Sequence, residues 1–158
     1  MKSTLFGPHP VDTDKWSKIN EEHVRPWYWV SREGQVWREP TVMRNGHGRY
    51  RRPPQILKTS PQTTGYPQVA LRCVPDASVD ERAFLIHRLV MIYHGPDKPF
   101  DSAVVNHIDG DKTNYSLENL EWVSQAENRL HGLLRKSVHR IGRKATVQKM
   151  REWLHHFD

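Results

Sequence analysis

The chain has 158 residues, a length that fits one compact domain with appendages and is too short for two full domains. Hydrophobic residues make up 36%, with no apolar run near the roughly 20 residues needed to span a bilayer, which argues against a membrane protein. Lys and Arg outnumber Asp and Glu 24 to 18, and the net charge of +6 with a pI near 9.6 is a weak pointer to a polyanionic partner.

The opening MKSTLFGPHP lacks the apolar core and small-residue cleavage site of a secretory signal, so a cytoplasmic location is expected. Residues 1–25 show little periodicity and read as an irregular arm, with Trp16 its anchor. Residues 26–75 read as an antiparallel β module. In WYWVSREGQVWRE (27–39) apolar residues flank the turn signal Glu33-Gly34, which predicts a hairpin of two short strands. Residues 41–54 hold Asn45, clustered Arg, two Gly and two Pro, and read as a long loop. ILKTSPQTTGYPQVALRCV (56–74) then offers two more strands around a Pro/Thr/Gly turn, the second alternating through Val69, Leu71 and Cys73. Trp27, Tyr28, Trp29 and Trp37 could stack on bases, but packing within the sheet is the better account of them. Cys73 is the only cysteine, which excludes an intrachain disulfide and a structural zinc site built from several thiolates.

Residues 76–134 form the next unit. Ser78 and Glu81 have capping-box spacing, and AFLIHRLVMIYHG (83–95) ends at a Gly before Pro96, predicting a helix that stops near 95. AFLI could instead be a strand feeding a shorter helix from His87, a choice periodicity leaves open; His87 and Arg88 read as structural or solvent-facing. VVNHI is short and β-branched, hence a strand; IDGDKTNYS is a polar loop; ENLEWVS is strand-like. Ser124 and Glu127 make a second capping box before the helix NRLHGLLRK. On that helix Asn128 and His131 lie three apart and share a face. Asp109-Gly110-Asp111 is no EF-hand loop, because Asn114 and Leu120 stand where Gly and Glu are required.

Basic residues flank this unit. Eight Lys or Arg and no acid lie between Arg129 and Arg151, among them Arg135, Lys136, Arg140, Arg143 and Lys144, and a second cluster holds Arg44, Arg49, Arg51, Arg52 and Lys58. Both are candidate DNA phosphate contacts, though a solvated basic surface would look the same. Residues 135–158 read as a basic linker and a final helix from about Thr146, with Val147, Met150 and Leu154 on one face.

The order strand, loop, strand, helix, carrying Asn106-His107, Asn119-Leu-x-Trp-Val and Glu127-Asn128, resembles the HNH nuclease motif of the ββα-metal fold. It is most similar to the HNH homing endonucleases of bacteriophages, and WVSREGQVWRE with LIHRLVMIYHG extends the likeness upstream, so that it covers roughly residues 26–132. The fold class expected is α+β: a small antiparallel N-terminal sheet, the ββα unit and a C-terminal helix. The resemblance implies His107 as general base, Asn119 as the residue that ties the loop and orients it, and Asn106 and Asn128 as holders of one divalent cation. That cation would be Mg²⁺, with Mn²⁺ as substitute; His131 falls at a further metal or phosphate contact.

The chemistry agrees with these assignments. A histidine is the base whose ordinary pKa lies near neutrality, and amide oxygens are hard ligands suited to Mg²⁺. Two neutral amides without a carboxylate should bind metal weakly before DNA arrives. The activity implied is metal-dependent hydrolysis of DNA phosphodiester bonds, most naturally duplex DNA, leaving 5′-phosphate and 3′-hydroxyl ends. A phage or mobile-element origin is implied with it, and a monomer is slightly favoured. A degenerate HNH-fold DNA-binding protein, and a structure-selective or RNA-directed nuclease, are the alternatives.

Overall fold

The structure, a computed structural model, describes residues 15–75 and 78–139. Most of the N-terminal arm, Arg140, Arg143, Lys144 and the helix expected from Thr146 lie outside these residues, as does the side chain of Lys136. No described helix is long and apolar enough to cross a membrane.

Trp16 opens the first strand, β1 (Trp16–Lys18), which pairs antiparallel with β2 (Tyr28–Ser31). Glu33 and Gly34 then turn the chain into β3 (Val36–Arg38), as their turn chemistry predicts. Gly34 sits at φ 74°, and a Cβ there would stand 2.3 Å from the Tyr115 ring, so turn and contact both require glycine.

Residues 41–54 correct the loop expectation. They form a hairpin, β4 (Thr41–Asn45) with β5 (Gly48–Arg52), in register from Thr41↔Arg52 to Asn45↔Gly48. The glycines that read as loop signals make a tight turn, and Pro53-Pro54 only ends the second strand. β6 (Gln55–Ile56) returns to β3 and completes a sheet of order β1-β2-β3-β6.

β7 (Ser60–Pro61) and β8 (Pro67–Arg72) follow around the Pro/Thr/Gly turn, where Gly65 N–H donates to Gln62 O at 2.7 Å. The capping box at Ser78 is not used. Glu81–Leu85 is a strand, β9, paired residue for residue with β8, and the ladder bonds of that pairing outweigh a local cap. The helix α1 (Ile86–His94) starts only after Leu85, which makes no side-chain cap, and stops at Gly95 as its sequence predicts. The strand-then-shorter-helix alternative is therefore the one realised. β10 (Val104–His107), β11 (Leu120–Val123) and α2 (Gln125–His139) follow as the last described elements, giving the α+β class expected.

One core serves both halves. Ile86, Leu89, Val90 and Met91 of α1 are buried against Tyr28, Val30, Val36, Val69 and Leu71 of the front sheets and against Leu120 of β11. The helix packs on β1, β2, β8, β9, β10 and β11, so it is the element through which the front sheets and the ββα unit share apolar surface. Burying each such side chain is worth about 1.5–3 kcal/mol. Cys73 is a free, buried thiol in an isolated bridge with Val24, a structural role as expected. Tyr28 and Trp37 are buried, and Trp29 donates to Glu39 at 2.7 Å, which assigns these aromatics to the fold.

His87 also belongs to this core, at 4% exposure, with its Nδ1 buried and without a hydrogen-bond partner among the described residues. Its pKa is lowered to about 3, chiefly by burial, with His107 and Arg88 adding repulsion. An unfolded histidine titrates near 6.5, so between there and about 3 the unfolded chain binds a proton that the folded one refuses. His87 therefore lets stability fall as pH drops through this window, by up to about 1.4 kcal/mol per pH unit. A His87→Phe variant should show a shallower decline of unfolding midpoint between pH 6.5 and about 3 than the parent chain. Parallel declines in the two proteins would show that the buried imidazole does not set the acid limit.

Candidate functional site

Asn106 and His107 end β10, both at 4% exposure, and the antiparallel register sets Asn106 opposite Glu121 and His107 opposite Leu120. What holds the strands in this register is the loop between them, and what holds the loop is Asn119. Its Oδ1 accepts from the Asp109 N–H at 3.0 Å, while its Nδ2 donates to Asp109 Oδ1 at 2.9 Å and to Asn114 O at 2.7 Å. Its main-chain oxygen also accepts from Ile108 N at 2.8 Å. Asp109 accepts further bonds from Asp111 N at 2.8 Å and Asn114 Nδ2 at 2.7 Å. Bonds from Asn114, Asn119 and Asp111 hold its carboxyl below the ordinary range against the opposing pull of partial burial. Both oxygens of Asp109 are thus spent on the loop.

The helix α2 begins with the capping box read from the sequence: Glu127 Oε2 accepts from Ser124 N at 2.7 Å, and Ser124 Oγ accepts from Glu127 N at 3.2 Å. This fixes the first turn, which carries the half-buried Asn128. One turn further on, His131 Nδ1 meets Asn106 Nδ2 at 2.8 Å, and the same Nδ2 donates to Glu121 Oε1 at 2.7 Å. The structure therefore gathers Asn106, Glu121 and His131, with Asn128 on the His131 face of the helix. An ionised carboxylate only accepts, so the Asn106 amide must turn its NH₂ toward Glu121, and His131 Nδ1 then accepts while its proton resides on Nε2.

The His107 ring packs edge-on against His87, with centroids 4.9 Å apart, and tilted against Tyr66 at 5.8 Å. Its Nε2 is buried, with no hydrogen-bond partner among the described residues. Its pKa is lowered chiefly by burial; Asp109 and Asp111 oppose this, while Arg135 and Lys112 reinforce it. The ring is thereby kept neutral, a proton acceptor at neutral pH.

Among the expected DNA contacts, Arg44, Arg49, Arg51 and Lys58 are exposed and Arg52 is half-buried; Arg129 is exposed on α2. Arg135 differs. Its guanidinium donates to the main-chain oxygens of His107 and, at 3.0 Å, of Ile108, so it braces the end of β10 from below. A Cβ on Gly110 would come within 2.4 Å of that guanidinium, and Gly110 sits at φ 80°. The sequence reading missed Glu121 and the ring packing of Tyr66 and His87 on His107. Glu121 could have been found only by fixing the strand register, which the Asn119 clamp decides.

Among the described residues no group of three His, Cys, Asp or Glu could hold a metal ion. The donors that fit a hard cation are amide oxygens. The NH₂ of Asn106 is fully engaged, which leaves its Oδ1 free of hydrogen bonds among the described residues, and Asn128 makes no side-chain hydrogen bond there. That donor set suits a weakly held, largely hydrated divalent ion.

Comparison with known proteins bears on the same segment. The HNH endonuclease family model matches residues 84–130. The chain is 33% identical over 115 residues, 67% of its length, to the uncharacterized HNH endonuclease L247 of Acanthamoeba polyphaga mimivirus. It is 48% identical over 50 residues, 32% of its length, to YosQ of the Bacillus subtilis (strain 168) SPbeta prophage, which is assigned to the HNH homing endonucleases. It spans 28% of the length of each of these two relatives. A solved structure describing DNA binding and cleavage by the HNH homing endonuclease I-HmuI superposes with a TM-score of 0.56 at 25% identity, over 87% of this chain and 66% of that one. The clamped loop, the Asn-His strand end and the start of the capped helix all fall within the segment that matches the HNH endonuclease family.

Proposed function

We propose that this protein is a metal-dependent endonuclease that hydrolyses phosphodiester bonds of double-stranded DNA. The observation that carries the reading is the meeting of β10 and α2, where a buried neutral His107 adjoins Asn106, whose amide bonds to His131 on the helix face that also carries Asn128.

In this reading His107 takes a proton from water as the water oxygen attacks phosphorus. The bond from phosphorus to the 3′ oxygen breaks, and that oxygen leaves with a proton from solvent. Asn106 and Asn128 would hold a divalent cation, Mg²⁺ with Mn²⁺ as substitute, which would supply stabilisation of the negative charge that develops in the reaction. Asn119 and Arg135 keep the end of β10, and so the His107 ring, in place by bonding the loop side chains and main chain around it. His131, with its Nε2 proton free of Asn106, is a donor for a phosphate oxygen. A phage or mobile-element origin accords with the viral and prophage relatives.

The β4–β5 hairpin supplies DNA contact. Arg44 and Arg49 are directly opposed across the strands, with Val42 opposite Arg51 on the same face. Like charges in direct opposition disfavour the hairpin itself, so its sequence is better explained by a polyanion that neutralises both.

Supercoiled plasmid with Mg²⁺ should be nicked or linearised by the parent chain, not in EDTA, and His107→Ala should be slower by about 10²–10⁴-fold with DNA binding retained. Equal cleavage by the variant would remove His107 as the base, and binding with no cleavage by either protein would indicate a catalytically degenerate binder. For the hairpin, Arg44→Gln with Arg49→Gln should lower the slope of log affinity against log salt by about 2 if each meets one phosphate. The single-turnover rate on saturating DNA should stay within about twofold if the hairpin serves binding alone; an unchanged salt slope would place both outside the interface.

A further inference from the structure

The two amides read as metal holders carry no charge, yet a carboxylate stands beside Asn106. Glu121 faces Asn106 across the ribbon, accepts its Nδ2 at 2.7 Å and lies 3.8 Å from His131 Nδ1. The side chain is 38% exposed, so it occupies the open edge of the cluster rather than the core. Its contacts with Asn106 and His131 both run through Oε1, and Oε2 has no partner among the described residues.

We propose that Glu121 is the positioning residue of the metal site: it locks the Asn106 amide with Oδ1 toward the cation and supplies the negative charge that the ligand amides lack. The inference rests on the reading of Asn106 as a metal holder. An amide can flip, and the two orientations differ only in which end meets the cation. A carboxylate cannot donate, so Glu121 excludes the flip that would offer NH₂ to the cation. His131 alone would not do so, because its tautomer can change with the flip. The charge acts in addition, since a carboxylate beside neutral ligands raises local cation concentration and opposes loss of the ion. The carboxylate that the ligand amides lack is then supplied from the facing strand.

Glu121→Gln tests this at nearly constant volume, because glutamine removes the charge and can either donate or accept. Mn²⁺ binding to the DNA-free protein, followed by electron paramagnetic resonance of the free ion, should weaken by about 10-fold or more. The Mg²⁺ concentration for half-maximal cleavage should rise by a similar factor, while the rate at saturating Mg²⁺ stays within a few-fold. Thermal unfolding in EDTA should be unchanged, which separates the effect from misfolding. Parent-like Mn²⁺ binding and Mg²⁺ requirement in Glu121→Gln, with both impaired in Asn106→Ala, would overturn this proposal and leave the metal site standing. If Asn106→Ala also binds Mn²⁺ like the parent, the metal-site reading itself fails and takes the role of Glu121 with it.

Discussion

The side-chain amide of Asn119 is the constraint on which the site depends. A polar loop joining two short strands would by itself leave their register loose, because little apolar surface fixes a two-stranded ribbon. Asn119 satisfies the Asp109 main chain and side chain together with Asn114 O, and its own carbonyl takes the Ile108 N–H. A shift of one residue would break all four contacts and would turn Asn106 and His107 to the opposite faces. The register that sets Asn106 against Glu121 is therefore encoded as much by this one amide as by the strands it joins.

The clamped loop is also the attachment point for the front sheets. Tyr115, partly buried against the core, closes on Gly34 in the β2–β3 turn. Lys112 donates to Thr64 O at 2.8 Å and lies 4.5 Å from the centre of the Tyr66 ring, in the β7–β8 turn. Tyr66 in turn packs on both histidines. Together with α1 in the common core, these contacts make the orientation of the front sheets relative to His107 a property of the packed fold. For an enzyme that reads DNA with one part and cuts with another, such coupling would fix the offset between the contacted bases and the scissile bond.

Legibility from sequence followed how local each determinant is. The hairpin at Glu33-Gly34 and the cap at Ser124 and Glu127 depend on a few consecutive residues, and both stand as read. Ser78 and Glu81 show the same capping pattern, but Arg82-Ala-Phe-Leu finds a partner strand in β8, and a non-local ladder overrides the local signal. The Arg-rich hairpin escaped because its strands lack apolar alternation and its glycines resemble loop residues. Asn106, His107, Asn119 and Asn128 are singled out by the order of the motif, whereas Glu121 becomes visible only with strand register, and the bracing by Arg135 only with the helix docked.

The electrostatics around His107 follow from the same economy of polar groups. A general base near a phosphate backbone is exposed to a field that favours its protonation, which would disable it. Burial against Tyr66 and His87 opposes the charged form first, and Arg135 and Lys112 add to that opposition while serving structural bonds of their own. Asp109, the carboxylate that acts most strongly on the ring, has its charge drawn into bonds from Asn114, Asn119 and Asp111, which stabilise its ionised state without requiring a proton on the imidazole. His87, with its own pKa lowered to about 3, contributes no positive charge at neutral pH, so the two rings can share a tight contact without repulsion. Loop stability and the neutrality of the imidazole are thus produced by one set of residues, and a substitution made in the loop to alter either will alter both.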